Sequence, residues 1–141
     1  MSERNRNFIE RIVDEVFNQN RLEVIDELYC DELCSTDTVT GTRSACKDQL
    51  RDTVKFYREA FPDHQYTLEN VVCEGDMVAV RWTVRGSRTS EVGNIKASEL
   101  PYEFEGMSFC RLRDGKIEQI WQQFDVAALN RQLGFEAMKV S

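Results

Sequence analysis

The sequence predicts an α+β fold, with helices gathered in the first sixty residues and antiparallel strands after them. Three observations carry that reading. Apolar residues repeat at helical spacing as far as Phe61 and at a spacing of two beyond Pro62. Asp114-Gly115 sits between two strand-like runs, which is a strong hairpin signal. Helices that precede the strands, instead of alternating with them, argue against a parallel βαβ sheet.

Each element has its own signal. Over residues 5–19, Phe8, Ile9, Ile12, Val13, Val16 and Phe17 form one apolar stripe, so a helix is expected that breaks at Asn18-Gln19-Asn20. A shorter helix is expected over 21–29, with Leu22, Ile25, Leu28 and Tyr29 on one side. The Thr- and Val-rich segment 33–40 reads as a short strand. A third helix is expected over about 43–60, with Cys46, Leu50, Val54, Tyr57 and Phe61 as its stripe and Thr42 or Ser44 as its cap. Pro62 ends it, because the residue before a proline avoids the helical region. Strands are then expected over 65–74 and 77–89 around the turn Glu74-Gly75-Asp76. In the second, Val78, Val80, Trp82 and Val84 alternate with Arg81, Thr83 and Arg85, the pattern of a half-buried strand. A loop over about 90–100, containing Gly93 and Asn94, leads to a strand over 101–113, the hairpin and a last strand over 116–125. Val126–Leu133 reads as a closing helix with Gly134 at its end.

The bulk properties narrow the function classes. A chain of 141 residues has the usual length of one domain, with its core expected over about 5–135. A formal net charge of −7 repels phosphate backbones, so no nucleic-acid partner is expected. No run approaches the ~20 apolar residues of a membrane span, and residues 1–6 lead into an amphipathic pattern instead of a signal core. The five cysteines Cys30, Cys34, Cys46, Cys73 and Cys110 are odd in number, which points to small reduced core residues and a cytoplasmic location. Cys30 and Cys34 are four apart and the single histidine, His64, is distant, so no zinc site is expected. His64 follows Phe61-Pro62-Asp63 and reads as an exposed turn residue. No nucleophile–histidine–acid motif and no phosphate-binding glycine loop are present.

Three motifs carry a family resemblance. Ala60-Phe61-Pro62-Asp63 closes the third helix. Glu74-Gly75-Asp76-Met77-Val78-Ala79-Val80-Arg81-Trp82-Thr83-Val84-Arg85-Gly86 forms a long strand. Arg111-Leu112-Arg113-Asp114-Gly115-Lys116-Ile117-Glu118-Gln119-Ile120-Trp121, followed by Asp125 and Gln132-Leu133-Gly134, ends the chain's core. In this order and spacing they resemble the SnoaL-like polyketide cyclases (ester cyclases) of the NTF2-like superfamily, over about residues 5–135. The resemblance implies a cone in which N-terminal helices pack on a curved, mostly antiparallel sheet. It implies an apolar pocket for a small hydrophobic organic ligand, and a homodimer formed through the sheet. It also implies ring closure of a polyketide ester by aldol chemistry, with no metal or cofactor and with a buried aspartate in the last strand. The matching residue is Asp125.

Strand alternation places Ile117, Gln119, Trp121, Gln123 and Asp125 on one face. If that face lines the pocket, Asp125 is a desolvated carboxylate able to move a proton next to a carbonyl. Asp125 also directly precedes Val126-Ala127-Ala128-Leu129, so it is equally placed to cap the last helix. Trp82, Trp121 and Phe61 are expected as pocket walls, or as ordinary core. Met107 and Phe109 are expected as apolar wall, and Gln123 as a group that orients a ligand carbonyl. Arg88 stands where the family often carries a histidine, either to hold a substrate oxygen or to pair with Glu91 at the surface. Two functions are therefore expected: a cofactor-independent cyclase or isomerase (an epoxide-opening hydrolase being a variant on the same fold), or a non-catalytic ligand-binding or dimerising module.

Overall fold

The computed structural model describes residues 2–37, 43, 44, 46–93 and 95–134. The first expected helix is present but changes type partway. It begins as α1 (Ser2–Arg11) and continues as a π-helical segment, Ile12–Asn18. Ile9, Ile12 and Val16 bury its apolar stripe. A 3-10 turn, Leu22–Val24, then leads into α2 (Ile25–Leu28).

Strand β1 (Tyr29–Asp37) starts earlier than the sequence suggests, and residues 38–40 of the expected strand lie outside the described residues. Residues 43 and 44 form the short β2 (Arg43–Ser44), paired antiparallel with β1 through Ser35–Ser44 and Thr36–Arg43. That pairing delays α3, which spans Lys47–Ala60 and not 43–60. Ser44 is therefore in a strand and Thr42 lies outside the described residues. Cys46 occupies the cap position, and its side chain makes no capping hydrogen bond.

The remaining strands are β3 (Gln65–Glu74), β4 (Met77–Gly86), β5 (Tyr102–Arg113) and β6 (Lys116–Phe124), and α4 (Val126–Leu133) closes the fold. The sheet order is β2-β1-β6-β5-β4-β3. The β1–β6 pair is parallel and every other pair is antiparallel. The β5–β6 hairpin turns at Asp114-Gly115, both at positive φ (52° and 74°), as a type I′ turn requires. The segment expected as a loop holds two bridges, Thr89–Ser98 and Val92–Ile95, and the Ser90 N–H bonds the Ala60 carbonyl at the end of α3.

The register shifts in three strand pairs: between Tyr29 and Cys34 where β1 meets β6, and at two single-residue bulges. The β3–β4 register slips between Leu68 and Asn70, and the β5–β6 register slips where Arg111 faces Gln119 but Leu112 faces Ile117. Each inserts one unpaired residue, Glu69 and Glu118, and such bulges bend a strand and re-aim the side chains beyond them. The helices lie on the concave face of the resulting curved sheet, with the core between them built on Val16, Ile25, Leu28, Val78, Ile117 and Leu129.

Candidate functional site

A cavity of about 410 Å³ lies between the helices and the inner face of the sheet. Helical residues Ile9, Ile12, Val13, Phe17, Leu50, Val54, Phe56 and Tyr57 line one side. Strand residues Tyr29, Tyr66, Leu68, Val80, Trp82, Ser108, Cys110, Ile117, Ile120 and Gln122 line the other. Asp52 and Thr53 of α3 complete the rim. α1 and the π-helical segment rest on β3, whereas α3 rests on β1, and the cavity fills the space between those supports.

The space exists because the inner face of β5 is built from small residues. Gly106, Ser108 and Cys110 point inward at a spacing of two, and all are buried. Trp82, on the neighbouring β4, uses that room. A Cβ on Gly106 would come within 2.4 Å of the Trp82 ring, so glycine is required for the indole to lie there. The indole Nε1–H donates to Ser108 Oγ at 3.0 Å. Trp82 also meets Tyr66 at 5.3 Å between ring centres, and Phe104 and Phe124 at 6.4 and 6.5 Å. These rings continue into a second void of about 30 Å³, which Phe61 and His64 help to line.

The polar groups of the interior are held uncharged. Burial pushes the Cys110 thiol up to about 12 and raises the Tyr29 phenol as well, so both keep their protons at neutral pH. His64 is 4% exposed, which corrects the expectation of a solvent-facing turn residue. Its Nδ1 lies 2.7 Å from the Phe61 carbonyl, and burial lowers its pKa to about 4, so the ring is neutral at pH 7. Beside it, the half-buried Arg58 guanidinium donates to the carbonyls of Pro62 (3.0 Å), His64 (3.3 Å), Asn18 (3.1 Å) and Phe17. It thereby ties the end of the π-helical segment to the end of α3. Among the described residues lining the main cavity, Asp52 is the one Asp, Glu, Lys, Arg or His side chain. Among the described residues, no group of three or more His, Cys, Asp or Glu side chains is placed to hold a metal.

Of the residues singled out in the sequence, Trp82 lines the main cavity and Phe61 the smaller one. The expected inward face of Trp121, Gln123 and Asp125 is corrected. These residues lie on the outer face of the sheet with Met107 and Phe109, along a shallow groove that also includes Glu105. On β6 the cause is the extra residue Glu118: Ile117 points inward, but past the bulge the inward positions become Ile120, Gln122 and Phe124. On β5, the larger Met107 and Phe109 face outward while the small alternate residues face the cavity. Asp125 is exposed, and its Oδ1 accepts the Ala128 N–H at 2.9 Å as the N-cap of α4. Arg88 is exposed beyond the end of β4, and its charge helps hold the Asp63 carboxylate below its usual range, behind the hydrogen bonds from Ser87. Ser108, Cys110 and Gln122 carry no motif that marks them in the sequence. The signal that could have found them is the run of small residues at a spacing of two, Gly106-x-Ser108-x-Cys110.

The chain is similar in fold to known proteins. The family described as SnoaL-like polyketide cyclase matches residues 7–133. No curated protein shows significant sequence similarity to the chain. Among solved structures, wild-type IdmH, a candidate polyketide cyclase from Streptomyces antibioticus, is 26% identical with a TM-score of 0.80, over 91% of this chain and 96% of that one. A candidate SnoaL-like polyketide cyclase from Jannaschia sp. CCS1 is 19% identical with a TM-score of 0.85, over 98% and 95%. A protein of ketosteroid isomerase-like fold from Catenulispora acidiphila DSM 44928, solved with trimethylamine, is 14% identical with a TM-score of 0.78, over 92% and 94%.

Proposed function

Because this chain belongs to the SnoaL-like polyketide cyclase family, we propose that it is a cyclase- or isomerase-type enzyme that moves a proton on a small hydrophobic carbonyl compound held in the main cavity. The observation that carries the reading is the cavity itself. About 410 Å³ of largely apolar, aromatic-walled space carries a few neutral polar groups on one wall. Those walls accept a flat, uncharged ring system and offer no cation to a carboxylate or phosphate. The proton-moving group in this reading is a carboxylate; Asp52, exposed at the rim, is among the residues that line the cavity, whereas Asp125 caps α4.

The reading is tested by following exchange of the α-protons of 2-tetralone in deuterated buffer by NMR. The expected outcome is saturable acceleration over buffer, reduced roughly a hundredfold or more in Asp52→Asn, as befits loss of a general base, and retained in Asp125→Asn. Full activity in Asp52→Asn with loss in Asp125→Asn would return the role to the last strand. No acceleration of any ketone tested would sink the enzyme reading. A second reading, a ligand-binding module without turnover, is favoured by the capping bond of Asp125 and predicts saturable ketone binding with no exchange.

The proposal extends to assembly and location. The outer sheet face exposes Met107 (60%), Phe109 (55%) and Trp121 (38%) side by side, with Phe109 directly opposite Trp121 in the β5–β6 register. A contiguous apolar patch of this kind marks a contact surface, and a second copy of the chain is the partner proposed here. Cys30, Cys46 and Cys110 are free thiols, which supports a reducing, cytoplasmic setting. Among the described residues, no helix is long and apolar enough to cross a membrane.

A further inference from the structure

We infer that Ser108 is the donor that holds a ligand's carbonyl oxygen in the main cavity. The inference rests on the reading of that cavity as a ligand site. Ser108 is buried on β5, lines the cavity and accepts the Trp82 indole N–H at 3.0 Å. A serine hydroxyl carries one proton to give and two lone pairs to receive with. Indole is a donor only, so the Trp82 bond occupies a lone pair and leaves the hydroxyl proton uncommitted. The hydrogen bond seen at that hydroxyl is the one it accepts from Trp82. Because Ser108 lines the cavity, that proton can reach a ligand's ketone or ester oxygen there, the acceptor that completes it.

Three features make this donor more than an incidental polar atom. The indole bond polarises the hydroxyl, because hydrogen bonds in a chain strengthen one another in a low-dielectric interior. The position is backed by the indole, since Trp82 is seated closely over Gly106, where even a Cβ would meet the ring at 2.4 Å. Neutral neighbours surround it as well. Cys110 is two residues along the same strand face, and Gln122 is directly opposite Ser108 in the β5–β6 register. The cavity therefore has a largely apolar body with a neutral polar cluster around Ser108 on the strand wall, which orients a ligand that carries a single carbonyl. A carbonyl oxygen that gains negative charge as a neighbouring proton leaves would bond this donor more strongly than the resting ketone does, which is how a fixed donor favours an enolate.

The test compares two ligands that differ by one oxygen, 9-fluorenone and fluorene, titrated against the whole chain by fluorescence. A neutral hydrogen bond contributes about 0.5–1.5 kcal/mol net, so fluorenone is expected to bind up to about tenfold more tightly than fluorene. In Ser108→Ala the preference is expected to fall to twofold or less, with fluorene affinity changed less than twofold, which also shows that the cavity is intact. The infrared carbonyl stretch of bound fluorenone is expected at lower frequency in the parent protein than in Ser108→Ala, with Ser108→Cys, a weaker donor of nearly the same shape, between them. An unchanged preference and an unchanged stretch in Ser108→Ala would overturn the inference. Tight fluorene binding with no preference for fluorenone would overturn it while leaving the cavity reading in place. Failure of both ligands to bind would sink the two together.

Discussion

At Asp125 the side chain's role is read from the bond it makes. Its Oδ1 takes the Ala128 N–H at 2.9 Å, one of the donors that the first turn of a helix leaves unpaired. Asp125→Ala is therefore expected to cost about 1 kcal/mol in urea unfolding, and Asp125→Asn, an equally good cap, close to nothing. His64 answers to pH. Its ordinary value is 6.5, and burial lowers it to about 4 beside Arg58 and Asp63. The unfolded chain takes up this proton below about 6.5 and the folded chain only near 4. The contribution of neutral His64 is therefore complete above pH 6.5 and is lost as pH falls through that window. A shift of this size corresponds to roughly 3 kcal/mol at full effect. Urea unfolding from pH 7 to 4.5 is expected to show a shallower loss in His64→Asn, which keeps a donor for the Phe61 carbonyl but cannot titrate. The two residues differ in how far the sequence reveals them. Asp125 is legible as a cap because its cue is local, the start of an amphipathic helix. The burial of His64 is not legible, because it comes from the packing around the residue and not from its turn.

Strands β5 and β6 show what an element contributes that its residues do not. Period two identifies both strands from sequence, since alternation survives in any register. The side that faces inward does not follow, because one extra residue reverses every position beyond it. Glu118 is that residue on β6, and the sequence around it gives no sign of the slip. Gly106 plays the matching part on β5. A methyl there meets the Trp82 ring at 2.4 Å and the Gln123 carbonyl at 2.7 Å, so Gly106→Ala must displace the indole. The expected cost is about 1–3 kcal/mol of stability, as for overpacked cores. Fluorescence of the Trp82 indole is expected to change with it, because its bond to Ser108 is lost.

On the scale of the whole molecule, the curved sheet has two different faces. The concave face carries the helices and the cavity, and the convex face carries Met107, Phe109 and Trp121 among polar neighbours. Those neighbours are already paired: Arg81 bonds Asn70 (2.8 Å) and Glu105 (3.3 Å), and Arg111 bonds Gln119 (3.1 Å). The apolar strip is thus bordered by satisfied charges, a pattern suited to a second copy and not to a strongly charged partner. Phe109→Glu and Trp121→Glu are expected to give monomers in sedimentation equilibrium without loss of folded structure. A parent protein that is monomeric at high micromolar concentration would end the dimer proposal.

The grouping of helices before antiparallel strands, the Asp114-Gly115 turn, the end of α3 just before Pro62 and the family itself were determined by the sequence. Each depends on signals within a few residues of one another or on motifs in fixed order. The tertiary structure alone decided the functional face. It set the inward phase of β6 through a bulge, opened the cavity by aligning small residues across neighbouring strands, and left Asp125 outside while bringing Ser108 to Trp82. Those outcomes depend on which residues meet across the sheet, and a chain read in one dimension does not record that partnership.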